Sequence, residues 1–193
     1  MKKWWQNINR GILLLIIAII AVTSYLISDS IKTKNEKAKL REITTQFVSD
    51  SSILFAFPQD IDFFSWDGME SDNLRPAMYS QTESLNHYFC DNEVIRKQEI
   101  DKSQLFFRNY YERQLCPISC TRSLVRIEIN EIYNGSATIS VFTENKIDYK
   151  DQDGKKGYAE IESTDTLVLL KIDGQWKIIK LDSTLTEYEG SVY

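Results

Sequence analysis

The sequence predicts an α+β fold: one N-terminal transmembrane helix, then helices packed on one face of an antiparallel sheet. Three observations predict it. Residues 11–27 read GILLLIIAIIAVTSYLI, 17 residues without a charge. Leu40, Ile43, Phe47 and Leu54 then recur at helical steps, which marks one apolar helix face. From Arg122 onward apolar and polar residues alternate between Asn-Gly and Asp-Gly turns, the signature of antiparallel hairpins. Helices first and strands after give segregated layers rather than a βαβ sheet.

Residues 1–10 form a short tail with Lys2, Lys3 and Arg10, and residues 11–27 form the membrane helix. Seventeen residues at helical rise span roughly 25 Å, the short end of a bilayer crossing. Trp4 and Trp5 extend the span beyond Gly11, and Tyr25 stands near its other end at Ile27; such rings favour the headgroup level. A cleaved signal peptide is the competing reading. The run exits through bulky Tyr25-Leu26-Ile27, which offers no small-residue cleavage site, so an uncleaved anchor is expected. Basic residues flank both ends: Lys32, Lys34, Lys37, Lys39 and Arg41 follow the helix. Their count favours the opposite topology, but a large following domain crosses largely regardless of charge. The expected orientation leaves the N-terminus in the cytoplasm and puts the C-terminal domain outside the cell membrane.

Residues 28–44 read as a basic helical neck, 45–182 as the folded domain and 183–193 as a polar, frayed tail. The formal charge is −5 overall, with +3 before Ser28, +2 in the neck and −10 in the remainder. An acidic domain repels phosphate backbones, so direct nucleic-acid binding is not expected. The lipid bilayer is the expected partner of the anchor.

After the span, residues 31–57 are expected to be helical, with nothing to interrupt residues 12–57 before Pro58. PQDIDFFSWDG is a connection with Asp67–Gly68 as its turn. Residues 72–89 read as a second helix, with Ser71 and Asp72 as possible N-caps and Pro76 tolerated only near the first turn. EVIRKQEI reads as a strand, and SQLFFRNYYERQ stays open between a strand and a buried edge. RSLVRIEINEI alternates Val125, Ile127 and Ile129 with Arg126, Glu128 and Asn130, one apolar face of a strand. SATISVFT, STDTLVLLKI and QWKIIKLD complete a four-stranded meander.

No recognisable catalytic set is present. The chain has a single histidine, His87, so a histidine metal cluster is not expected. Asp148, Asp151 and Asp153 resemble a calcium loop only loosely, without the twelfth-position glutamate or flanking helices; a solvated hairpin tip is the better reading. Asp60, Asp62 and Asp67 read as turn residues. No cofactor and no metal are expected. Of the cysteines Cys90, Cys116 and Cys120, the last two lie in CPISC. They are a candidate small disulfide if a turn at Pro117 brings them together, against the alternative of buried or free thiols.

One stretch is more specific. FFSWDGMESDNLRPAMYSQTESLNHYF gathers Phe63, Phe64, Trp66, Met78, Tyr79, His87, Tyr88 and Phe89 around a turn and Arg75. Its aromatics read first as core, since each buries about 150–250 Å², and second as a ligand pocket. With the preceding anchor and REITTQFVSDSSILFAF, it resembles the TcpC family of conjugative-element proteins, at Phe47, Phe64, Trp66, Asp67 and Arg75. LVLLKIDGQWKIIKLD looks like the last strands of a nuclear transport factor 2-like domain. The resemblance covers residues 1–182 loosely, and TcpC proteins usually carry two such domains where this chain has room for one. It implies a cone-shaped fold, helices on a curved sheet, and a non-enzymatic, self-associating scaffold of a type IV secretion channel. Homo-oligomers and other channel subunits would be its partners. An extracytoplasmic small-molecule-binding or sensory domain of the same fold is the alternative.

Overall fold

The computed structural model describes residues 10–65 and 73–188. Trp4, Trp5, Trp66 and Asp67, and the expected caps Ser71 and Asp72, lie outside the described residues. The chain divides into two compact units, Met1–Leu40 and Arg41–Tyr193.

Helix α1, Arg10–Asp50, runs 41 residues without a break, as the lack of proline or glycine after Gly11 allows. In the first unit its apolar side chains face outward, from Leu14 at 67% exposed to Ile27 at 61%. The most apolar window in Leu14–Phe55 has a mean hydropathy of 2.1 and none of it is buried. One helix near the N-terminus is therefore long and apolar enough to cross a membrane. Thr23 donates its hydroxyl to the carbonyls of Ile19 and Ile20 at 2.8 and 3.0 Å, which satisfies a polar group within the helix. Further on, Lys39 pairs with Glu36 at 3.7 Å on an exposed face.

The second unit holds the end of α1, a 3-10 turn Ser51–Phe55, α2 (Leu74–Gln81), a 3-10 turn Glu83–Tyr88 and α3 (Asn92–Glu112). Four strands follow: β1 Leu115–Tyr133, β2 Ser136–Asp151, β3 Lys156–Ile172 and β4 Gln175–Tyr188. They form one antiparallel sheet in the order β1-β2-β3-β4. Asn134–Gly135 and Asp173–Gly174 close two hairpins with positive φ at both residues, 47° and 75°, then 49° and 81°, the type I′ geometry that suits strand twist. The third hairpin is tied by Asp151, whose carboxylate accepts from the Lys155 amide at 2.8 Å. Register shifts interrupt β1 beside Ile118, Val125 and Asn130, and β4 beside Ile179; such bulges bend and twist a sheet.

On β2 the residues Ala137, Ile139, Val141, Thr143, Asn145, Ile147 and Tyr149 are all buried, while Glu144 and Lys146 between them are exposed. One face of the sheet lies under the helices and the other meets water. Phe57, Phe63, Met78, Ile100, Phe107, Tyr110, Ile147 and Tyr149 belong to one buried cluster. Rings meet edge to face, Phe57 with Phe63 at 4.7 Å and with Phe107 at 5.3 Å, the arrangement aromatic quadrupoles favour.

Several expectations are corrected. EVIRKQEI is not a strand, and SQLFFRNYYERQ is neither strand nor edge: the first lies in α3 and the second forms its last turns, up to Glu112. Asp91 caps it, accepting from the Val94 amide at 3.2 Å. Ile95, Glu99, Ser103, Phe106 and Tyr110 are buried along one face, a helical spacing that two polar members conceal. The helix expected over 72–89 ends at Gln81 and resumes as a 3-10 turn. Buried Thr82 turns its hydroxyl back onto the Met78 carbonyl at 2.7 Å, and this bond competes with continuation. β1 starts at Leu115, seven residues before Arg122. Pro117 fits there because β1 is an edge strand, and its carbonyl accepts from the Phe57 amide at 2.9 Å. The tail is not frayed from residue 183: β4 pairs with β3 as far as Tyr188 opposite Glu160.

Candidate functional site

The inward positions of β2 and β3 turn polar halfway along the sheet. Thr143 lies opposite Ser163, and Asn145 and Asp165 flank them on the same face. Arg122 of β1 lies opposite Asn145. Its guanidinium and the Asp165 carboxylate are each 4% exposed and meet at 2.6 Å. Arg122 Nε donates to Asn145 Oδ1 at 2.9 Å and Nη1 to Ser51 Oγ at 2.5 Å. Nη2 also reaches Thr143 Oγ1 at 3.3 Å and Ser163 Oγ at 3.4 Å. The group lies 5.3 Å from the centre of the Phe55 ring. Asn145 donates onward to the Ile161 carbonyl at 3.0 Å, and Thr143 and Ser163 share a hydrogen bond of 2.6 Å. One arginine thus ties three strands to the turn after α1.

Glu99 extends the cluster from α3. Its carboxylate is 8% exposed and accepts from Lys102 Nζ at 2.6 Å, while Lys102 also donates to the Leu181 carbonyl at 2.8 Å. Burial pushes the Glu99 carboxyl above its ordinary range; Lys102 pulls it down, and the nearby Asp165 carboxylate adds to the rise. Each charged group has a charged partner, as burial demands. The guanidinium's charge is neutralised by Asp165 and its donors are turned to protein oxygens. The hydroxyls point to the guanidinium or to one another. This is the chemistry of a satisfied internal brace.

The residues singled out in the sequence are placed elsewhere. Phe47 is buried and meets the rings of Tyr88 at 5.4 Å and Phe89 at 6.0 Å. Phe64 is half-buried against Phe63 at 5.4 Å. Arg75 is engaged within the fold. It bonds Asp101 of α3 at 2.9 Å, tying α2 to α3. The described aromatics of the stretch are therefore largely core, with His87 exposed at its rim. Gly11 and Ile27 lie on α1. The proposed Cys116–Cys120 disulfide is contradicted: both residues lie in extended β1 and are free, as is Cys90. With the bulge at Ile118, Cys116 and Cys120 lie opposite Lys150 and Ile147, three strand steps or about 10 Å apart, beyond the roughly 7 Å limit for bridging. Burial pushes the Cys116 thiol up to about 11 and the Cys120 thiol up to about 12, so both are poor nucleophiles. Among the aspartates of the hairpin, Asp148 accepts from Ser119 Oγ at 2.9 Å and Asp151 holds its own turn. Among the described residues no cluster of ligands suits a metal.

Arg122, Asp165 and their partners were missed in sequence, although the signal is there. Period two carried from Ala137 through Val141 lands on Thr143 and Asn145. Carried back from Leu169 and Leu167, it lands on Asp165 and Ser163. Polar residues at core-facing positions mark an internal network.

No family model matches the chain, and no curated protein matches it. Among solved structures it is similar to an uncharacterized protein with a cystatin-like fold from Caulobacter vibrioides, at 25% identity and a TM-score of 0.29. The match covers 47% of this chain and 58% of that one, so it spans little more than half of that protein's length.

Proposed function

We propose that the chain is a non-enzymatic, membrane-anchored scaffold subunit that acts by association. By its TcpC resemblance, the machine it serves is a conjugative type IV secretion apparatus for DNA transfer. The observation that carries the reading is the exposed apolar run of α1, Leu14 to Ile27. An exposed apolar run of this length needs a lipid or protein environment. The internal polar cluster of Arg122 and Asp165 is consistent with a structural role. In this reading the N-terminus is cytoplasmic, the domain lies outside, and its charge of −10 keeps it off the transferred DNA. Its partners are a second copy and other channel subunits.

Deleting residues 45–193 while keeping the anchor, in a host that carries the element, is the test. Transfer frequency falls to background in this reading; unchanged transfer with the truncated protein in the membrane overturns it. A small molecule that raises the melting temperature of the full chain by mass action would instead favour the sensory alternative.

A further inference from the structure

We infer that the free edge of β1 is a self-pairing surface, on which a second copy of this chain adds its own β1 antiparallel across a two-fold axis at Ile127. The inference rests on the association reading above and names the surface that serves it.

β1 is the outermost strand and pairs only with β2. Its beginning is covered, since the Phe57 amide donates to Pro117. Beyond Arg122, no main-chain hydrogen bond among the described residues reaches its outer edge. Val125 is 59% and Tyr133 67% exposed, and Leu124 37%. An edge this long, with apolar residues beside unpaired main-chain groups, is a template for another strand.

The sequence there is self-complementary in one register. Register shifts beside Val125 and Asn130 bracket Arg126–Ile129, which pairs regularly with β2. An antiparallel two-fold must pass through a residue, because opposed side chains point to one face. With the axis at Ile127, Arg126 of each copy stands opposite Glu128 of the other, twice. Val125 stands opposite Ile129, also twice. Within one copy Arg126 and Glu128 share the outward face at 3.3 Å, so two copies would join these pairs into a four-membered charge cluster. Moving the axis one residue either way puts Arg126 against Arg126 or Glu128 against Glu128, and like charges directly opposed are destabilising. Charges on a free edge otherwise serve to keep it single; here they discriminate between registers. The contact is smaller than a standard interface, and anchoring in one membrane raises the effective concentration that it needs.

The experiment uses the full chain in detergent and in membranes, in a Cys90→Ser background that removes the exposed thiol. Ile127→Cys places thiols across the axis, where opposed Cα atoms lie about 4.5–5.5 Å apart; Tyr133→Cys places them roughly 40 Å apart. Under mild oxidation Ile127→Cys is expected to form dimers, and Tyr133→Cys and the parent are not. In the Ile127→Cys protein, Arg126→Glu alone and Glu128→Arg alone should each lower the dimer yield about tenfold. Mixing those two variants should restore it. The pair within one chain is lost in both, so a merely structural role predicts no rescue. Equal cross-linking at Tyr133, or no rescue on mixing, overturns the edge pairing. If the chain then still scatters light as an oligomer, association stands and only its surface was wrong. If it is a monomer, both readings fall.

Discussion

Arg122 and Arg126 stand four residues apart on one strand, each beside a carboxylate, and they have opposite fates. Arg122 is sealed inside with Asp165, each side chain 4% exposed. Arg126 and Glu128 lie on the outer face, 58% and 46% exposed. Removing one member of a sealed pair leaves a stranded charge, at a cost of about 3–5 kcal/mol. An exposed pair contributes roughly 0–1 kcal/mol. Identical chemistry therefore holds the domain together at one position and lies open to solvent at the other. The bulge at Val125 between them changes the alternation: Arg122 points inward with Leu124, and Arg126 points outward.

The strongest way to break the comparison is Asp165→Ala. It should lower unfolding stability by about 3–5 kcal/mol, read from denaturant midpoints at unchanged slope. A loss below about 1 kcal/mol would mean that Arg122 is not held as described. Thiol labelling sharpens the contrast between inside and outside. At neutral pH exposed Cys90 should label first, while Cys116 and Cys120, pushed up to about 11 and about 12, should react about a hundredfold or more slower. Equal rates in the native protein would contradict their burial.

Glu99 gives a smaller, pH-dependent effect. Its folded pKa is raised above the ordinary 4.5, so the native state holds the proton longer than the unfolded chain. Its contribution is therefore fully present below that ordinary value and is lost as pH rises through the raised folded value. Glu99→Gln removes this term, so its melting temperature relative to wild type should climb with pH across that window. A flat difference would remove Glu99 from the buried cluster. Smallest of all, Arg126→Ala should change unfolding stability of the isolated chain by less than about 1 kcal/mol; a loss like that of Asp165→Ala would erase the distinction.

The meander was legible because Asn134–Gly135, Asp173–Gly174 and the alternation around Ile139 and Leu167 are local signals. So was the apolar face of α1. α3 was not, since Glu99 and Ser103 interrupt its apolar stripe and the aromatic run Phe106–Phe107 suits either structure. The brace was half legible: register places Asn145 and Asp165 inside, but nothing local says that Arg122, seven residues into β1, reaches them. Long-range contacts decide that. The CPISC spacing suggested a disulfide because it ignores the extended backbone that pairing with β2 imposes.

The most direct test of an associating scaffold is light scattering coupled to size exclusion on the full chain in detergent, with the detergent mass subtracted. The account predicts a protein mass at least twice that of one chain. A single-chain mass at every concentration would contradict it.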